Sequence, residues 1–457
     1  MERKKDYSVI IIGAGPAGVH AAKLLARKGY RPLIISENIG GSYCYSGCLI
    51  SNTLLYCSAT YESFLNDCNK LLKKSIIQDV EGIDVGKLRK YIDGVINKFT
   101  KYMSDEIISN NIDYMNGKAR FIDAKTIEVI NKNQTMTIEF DKIIIASGSI
   151  GKNFNLPNNV RLLKPDNISS LETFPKSVTV IGGGFVGCEF AVFFKRMGVN
   201  TTIVEKTDRL LSDFEEQTVK KLEDKFKKDG ISIIKNVNIT HIDKIGNKAI
   251  IFCESGEKIE SEQIFIAIGR RPNLDFLDLD KASLKFNGDM PQLNRNFQTT
   301  NEDIYIIGDA TGINMSVPFS IYSSEKAVNH IMYNKENNDE YLVPKVLCLS
   351  PDIVSLGMDE KAAASKGLDI DIAKYSYSYL KKHVIDVAQK GFIKIIYDKK
   401  TKKILGVHIF GRGGADIISN FSIIMQMDLP IEKLTHCFFN HPTYAEIIKE
   451  LGQMVVN

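Results

Sequence analysis

The strongest constraint on this chain is that part of it occurs twice. Residues 9-VIIIGAGPAGVHAAKLLARKGYRPLIISE-37 match 178-VTVIGGGFVGCEFAVFFKRMGVNTTIVE-205 in order and spacing. Each copy reads as an apolar strand, a Gly-x-Gly-x-x-Gly turn, an amphipathic helix, a glycine stop and a second strand ending in an acid. Gly13, Gly15 and Gly18 correspond to Gly182, Gly184 and Gly187, and Glu37 corresponds to Glu205. In such a unit the first glycine permits a tight turn, the second lets the backbone approach a pyrophosphate, and the third lets helix pack on strand. The helix N-terminus turns free N–H groups and positive dipole toward the phosphates. The acid can accept hydrogen bonds from a ribose hydroxyl. One glycine pattern is a weak signal, because a plain strand–turn–helix matches it too. Two complete copies, each closed by an acid, imply two dinucleotide sites. Glu205 repels a 2′-phosphate, and no arginine directly follows it, which points the second site to NAD rather than NADP; Arg209, four residues on, is the feature against.

The remaining composition narrows the class. At 457 residues the chain is long enough for two or three domains. An apolar fraction of 44% beside 25% charged residues is that of an ordered globular protein. The net charge of +4 is dispersed, and Arg3-Lys4-Lys5 reads as a solvated tail. No helix-turn-helix or zinc spacing accompanies the lysines, so no nucleic-acid partner is expected. No apolar run reaches the ~18 residues of a membrane span, and Val9–Ile12 is too short for a signal-peptide core. A cytoplasmic protein without a membrane span is expected. Eight cysteines in this length do not make a disulfide framework. Cys57, Cys68, Cys188, Cys253, Cys348 and Cys437 are scattered and read as small packed hydrophobes; no metal site is expected. Cys44 and Cys48 alone stand close together, in 40-GGSYCYSGCLISN-52.

Between the copies, residues 60 to 110 carry helical periodicity, followed by strand-like segments ending at 143-IIIASGS-149. After the second copy come a helix over 213–230, more strands, 264-IFIAIGRRPN-273 and 299-TTNEDIYIIGDATG-312. From Tyr341 the pattern changes to alternating strands such as 392-FIKIIYD-398 and 404-ILGVHIFG-411, then helices, with a boundary near 339 after 334-NKENNDE-340. The expected fold is α/β: two Rossmann-like dinucleotide-binding domains and a C-terminal α+β domain. The expected division is 1–150 with 272–338 for the first, 151–271 for the second and 339–457 for the third.

Taken in order, these motifs resemble the pyridine nucleotide–disulfide oxidoreductases, the flavoprotein family that includes dihydrolipoamide dehydrogenase, glutathione reductase and mercuric reductase. The resemblance covers essentially the whole chain. It implies FAD on the first glycine turn and NAD on the second. It makes 299-TTNEDIYIIGDA-310 a second FAD fingerprint, with Thr299 and Tyr305 in place and Asp309 on the flavin's ribityl chain. It makes 143-IIIASGS-149 and 266-IAIGRRPN-273 paired crossover strands, and 341-YLVPKVLCLSPDIVSLGMDE-360 the start of a domain through which members form homodimers. It also assigns cofactor contacts to Gly41, Ser42, Asn52, Ala119, Ser147, Gly148, Glu189, Gly269 and Ser320. In 441-HPTYAE-446 it implies that His441 reaches across the dimer as acid–base, oriented by Glu446. The chemistry suits these residues: a thiolate is the nucleophile, an imidazole can take its proton near neutral pH, and a carboxylate can hold the ring's tautomer.

The sequence departs from the family at the redox centre. The family pattern Gly-Gly-Thr-Cys-x-x-x-x-Cys-x-Pro-Ser-Lys, laid on Gly40 and Gly41, puts Tyr43 at the first cysteine and Cys48 at the second. Ile50 replaces the proline, Asn52 replaces the lysine, and Cys44 sits one place late. The resemblance makes Cys48 the flavin-facing thiol and leaves the exposed interchange thiol either moved to Cys44 or lost. On a regular helix residues four apart have Cβ atoms about 5–6 Å apart, beyond the usual ~3.8 Å of a disulfide, so a Cys44–Cys48 bond requires local distortion. The lost lysine also leaves Glu189 without its cation; that acid must be protonated, hydrated or paired elsewhere. The leading expectation is an FAD-dependent, NAD-linked oxidoreductase resembling dihydrolipoamide dehydrogenase. It would pass electrons between a small or lipoyl-type dithiol, the Cys44–Cys48 pair, FAD and NAD, and work as a homodimer. The alternatives are a single-thiol enzyme acting through Cys48 on peroxide, oxygen or a mixed disulfide, and a flavin-binding structural or regulatory homologue with little turnover.

Overall fold

Both copies of the duplicated segment fold into the same unit. The first gives strand Val9–Ala14, helix Pro16–Arg27 and strand Pro32–Ile39; the second gives Ser177–Ile181, Phe185–Arg196 and Asn200–Val204. In each the two strands pair in parallel, Val9 opposite Pro32 and Ser177 opposite Asn200. Their near-continuous apolar runs follow from burial on both faces. In the computed structural model, residues 7–71, 82–132, 134–152, 162–246, 248–334, 342–388 and 390–456 are described. The Arg3-Lys4-Lys5 run, the boundary near 339 and the side chain of Cys68 lie outside these residues.

The duplication runs further than the sequence match. After its second strand each unit adds helical structure, a third parallel strand (Asp113–Asn116 or Ser232–Ile234), a three-stranded antiparallel meander, and a strand that returns to the far side of the first (Ile143–Ile145 or Gln263–Ile266). The meanders span 118–139 and 239–261. The first sheet is completed by Ile304–Ile306, so the chain re-enters this unit after building the other. Of the two segments read as crossovers, 143–149 and 266–273, the first supplies the returning strand Ile143–Ile145, and the antiparallel pairing joins Ser149–Gly151, at its end, to Arg270–Pro272 within the second. The periodic stretch 60–110 belongs to two helices, Cys48–Leu71 and Val85–Ser109, the second capped by Asp84, which accepts from the Lys87 N–H at 2.9 Å. The helix expected over 213–230 spans Glu216–Lys228.

The C-terminal part forms a five-stranded antiparallel sheet in the order Lys345–Leu347, Asp352–Gly357, Ile404–Gly411, Phe392–Asp398, Ile370–Ser376. Ile393, Ile395, Val407 and Ile409 pack with helices Gly414–Gln426 and Ile447–Val456. Along Phe392–Asp398 the first six residues are buried, although alternate ones face away from those helices. The other face explains this, for it carries Lys394, 1% exposed, whose ammonium meets Glu215 at 2.6 Å and Glu360 at 2.5 Å. Glu215 caps helix Glu216–Lys228, accepting from the N–H groups of Gln217 and Thr218, both at 2.8 Å. Lys361 pairs with Glu216, Lys374 donates to Gln217 and Lys345 donates to the Asp213 carbonyl. Three lysines of the C-terminal part thus hold the first turn of one helix, and a fourth holds the loop that leads into it.

Burial alone would raise the Glu215 pKa, but Lys394 and the two N–H donors outweigh it and hold the group below the usual carboxylate range. A lowered folded-state pKa contributes stability that is present above the unfolded-chain value and lost as pH falls through the folded one. Lys394→Met leaves the Glu215 charge buried without its cation. We expect a loss of about 3–5 kcal/mol in urea unfolding at pH 7, partly recovered when Glu215→Gln is added.

Candidate active site

Both glycine turns open into one cleft of about 1300 Å³. Gly13, Gly15, Gly41, Ser42, Ser147, Gly148, Asp309 and Ser320 line it from the first unit. Gly182, Gly184, Glu189, Glu205 and Gly269 line it from the second. Cys48 and Asn52 face it as well. The structure therefore brings together most of the residues singled out in the sequence. Gly18 and Gly187 stand behind the wall for a steric reason, since a Cβ on either would lie 2.0 or 1.8 Å from the carbonyl oxygen of Gly13 or Gly182. Ala119 is buried in the core beneath the first sheet rather than on the cleft. Glu37 is also outside it: Ser36 takes the wall position, while Glu37 is exposed and 3.5 Å from Lys118.

The residues present fit two dinucleotides. A Cβ built on Gly15 or Gly184 meets no atom within 4 Å, so each turn keeps open space beside a helix N-terminus, where phosphates bind. The Ser147 hydroxyl is buried on the cleft without a partner, a polar atom awaiting one. Asp309 faces the cleft and accepts from the Ser149 hydroxyl at 2.6 Å. In the second unit Glu205 accepts from Gly183 N–H at 2.6 Å and Thr207 N–H at 2.8 Å, which fixes its carboxylate on the wall. Arg209 also lines the cleft, but its guanidinium is committed to the Ser212 and Phe214 carbonyls. The acid, not the arginine, is thus offered to a ribose.

The two neighbouring cysteines are separated by the fold. Cys44 lies in the short helix Gly41–Tyr45, which ends at Ser46; Cys48 opens the next helix, Cys48–Leu71. The regular-helix spacing considered for the pair therefore does not occur. Cys44 is fully buried among Met103, Ile107 and Ile34. Its sulfur lies beneath Gly40 and beside Thr100: a Cβ on Gly40 would meet Cys44 Sγ at 2.5 Å and Thr100 Cγ2 at 3.3 Å. Tyr43, one residue earlier, faces the cleft and packs on Phe99 with ring centroids 5.2 Å apart. The residue expected as an interchange thiol is thus a core residue, and both thiols are free. Cys48 opens to the cleft but is walled by protein. Burial, with Glu189 and Asp309 nearby, pushes its pKa up to about 11 against the opposing pull of the backbone N–H and Arg270.

Chain-wide comparison places these features in context. The family model described as pyridine nucleotide-disulphide oxidoreductase matches residues 7–329, and its dimerisation domain matches 343–451. The chain belongs to that family. It is 27% identical to the dihydrolipoyl dehydrogenase of Geobacillus stearothermophilus, covering 99% of this chain and 96% of the relative. It is 28% identical to that of Buchnera aphidicola from Schizaphis graminum, covering 98% and 95%. Among solved structures, LpdA from Mycobacterium tuberculosis superposes with a TM-score of 0.91 at 19% identity, covering 98% of this chain and 99% of LpdA. The HOCl-induced flavoprotein disulfide reductase RclA from Escherichia coli, as its Cu(II) complex, gives 0.88 at 23%, covering all of both chains. This oxidoreductase is therefore an FAD- and NAD-dependent enzyme acting on sulfur groups, a homodimer through its C-terminal part. Among the described residues, no helix is long and apolar enough to cross a membrane.

Some side chains around Cys48, Ser51 and Arg270 among them, were not singled out in the sequence. Asn52, in place of the family lysine, donates to the Cys48 carbonyl at 2.8 Å rather than to Glu189. Ser51 instead hydrogen-bonds Glu189. Arg270 donates to the Ser149 hydroxyl at 2.8 Å and its carbonyl at 2.7 Å, and its charge pulls the Cys48 pKa downward. Cys348, read as a packed hydrophobe, is exposed and faces the cleft; Cys437 is exposed as well, whereas Cys188 and Cys253 are buried as read and Cys57 is half-buried. His441 Nδ1 and Glu446 Oε2 lie 2.9 Å apart on the surface, away from the same chain's cleft. Glu446 also accepts from the Thr443 N–H at 2.7 Å; burial opposes its charge, but these two bonds hold its pKa below the usual range.

Burial raises the Glu189 pKa to about 7, with only Ser51 opposing the shift. A carboxyl whose pKa rises on folding destabilises the fold as pH climbs above its unfolded value, and the penalty levels off beyond the folded one. The oxidoreductase carrying Glu189→Gln should match the parent's stability near pH 4 and exceed it by up to about 3 kcal/mol at pH 8, read from unfolding midpoints across that range.

Proposed function

We propose that this oxidoreductase interconverts a dithiol and a disulfide of lipoyl type, with thiol chemistry at Cys48 and proton transfer by His441 of a second copy. The observation that carries the reading is Cys48 itself, at the head of a helix, opening to the cleft that both glycine turns line. Bound FAD and NAD supply two-electron transfer between nucleotide and thiol. The chain's own residues do the rest. The pyrophosphates are held by the open space at Gly15 and Gly184; Glu205 selects a ribose that lacks a 2′-phosphate, and Asp309 with Ser149 orients polar groups deep in the cleft.

The raised Cys48 pKa means that this thiol needs a base to react near neutral pH. His441 is suited to that task, with Glu446 fixing Nδ1 so that Nε2 is the exchanging nitrogen. In its own chain this pair is solvent-facing and off the cleft, as a base intended for another subunit would be. Glu189, titrating near neutrality beside the second glycine turn, can keep or release a proton as the charge in the cleft changes. The division into 1–150 with 272–338, 151–271 and 339–457 is the domain organisation that accompanies this reading. A second reading, catalysis by Cys48 alone on a peroxide or mixed disulfide, is favoured by the burial of Cys44.

The test is steady-state turnover with lipoamide and NADH. His441→Gln should lower kcat by about 10²–10⁴-fold and leave reduction of the bound flavin by NADH intact. Unchanged kcat in that variant removes His441 from the mechanism.

A further inference from the structure

We infer that the second redox thiol of this enzyme is Cys348, and that Cys48 and Cys348 form the disulfide that exchanges with substrate. This rests on the proposal that Cys48 carries the thiol chemistry, and it names the partner that the cysteine spacing did not.

Three observations converge. The position where the family pattern calls for a first cysteine holds Tyr43, and Cys44 is sealed in the core under Gly40, so neither of these positions offers Cys48 a partner. Cys348 and Cys48 both line the same cleft, and both are exposed. Cys348 follows strand Lys345–Leu347, which pairs antiparallel with Asp352–Gly357. Pro344, Lys345 and Val346 line the cleft with it, so this segment of the C-terminal part enters the site rather than merely bordering it. Burial raises the Cys348 pKa to about 11, and the charges of Asp352, Glu189 and Cys48 add to the rise.

The balance is complete with the enzyme's own cofactors. Closing the Cys48–Cys348 bond removes one proton from each thiol and two electrons in all; NAD⁺ accepts the electrons as hydride by way of FAD, and one proton is released. A substrate dithiol then reverses the bond. One substrate thiolate attacks Cys348 Sγ, the less enclosed sulfur, and Cys48 leaves as thiolate. The second substrate thiolate attacks the substrate sulfur of that mixed disulfide; the substrate disulfide forms, and Cys348 leaves as a thiolate that takes up a proton.

The experiment uses the oxidised, flavin-loaded homodimer. Free thiols are alkylated in denaturant, the protein is digested, and linked peptides are identified by mass spectrometry before and after anaerobic NADH. The expected result is a peptide pair joined through Cys48 and Cys348 that disappears on reduction. In parallel, Cys348→Ser should retain its flavin content and bleaching by NADH but lose at least about a hundredfold in lipoamide turnover, as residues acting as a unit do. Cys44→Ala should keep parental turnover. A Cys44–Cys48 link, the absence of any Cys48 link, or parental turnover in Cys348→Ser overturns the assignment. Failure of NADH to bleach the parent flavin instead overturns the functional reading, while the peptide map still decides the thiol pair.

Discussion

The ammonium of Lys394 is the contact on which the arrangement of this protein turns. It sits on a central strand of the C-terminal sheet, almost wholly out of water, and ends between Glu215 and Glu360. A lone charge there would be costly; two carboxylates make it tenable. One of those carboxylates caps a helix within the second dinucleotide-binding unit, Glu216–Lys228, so burying the lysine and starting the helix are satisfied by the same atoms. Leu347, Ile353, Phe392 and Phe410 join the core that contains Phe190 and Phe265, which makes the junction apolar around its charged centre. The segment that begins this sheet also forms part of the cleft wall.

The sequence disclosed the repeated unit well because its features are local: apolar runs, glycines and a terminal acid fall within about thirty residues. It did not disclose that each unit also carries a meander between its third strand and its returning one. Strands such as Lys118–Asp123 and Lys258–Ser261 alternate buried and exposed residues but run for only six and four residues, and nothing at residue level marks the equivalence of the two meanders. The helical stretch before residue 110 was visible as periodicity, but Asp84, which starts the second helix, says little until its carboxylate is seen to cap Lys87.

At the site the limits are different. Gly13, Gly182, Asp309 and Glu189 could be placed because each belongs to a motif with a steric or electrostatic reason. Cys44 was attractive through its closeness in sequence to Cys48 and to the family's first cysteine position, but it lies within the short helix Gly41–Tyr45, which buries its sulfur in the core. Ser51 and Arg270 carry no motif; their roles exist only where chain segments more than a hundred residues apart meet. Glu37 shows the reverse error, a residue in the right motif position whose neighbour Ser36 faces the cleft instead.

Cys48 opens the helix Cys48–Leu71, whereas Cys348 immediately follows the first strand of the C-terminal sheet. A bond between them spans about 300 residues, and in the chain-entropy description a ring of that size narrows the unfolded ensemble by about 6 kcal/mol. The electrons held by this cysteine pair would then govern how readily the whole molecule comes apart, so an enzyme short of reductant would also be one that is hard to unfold.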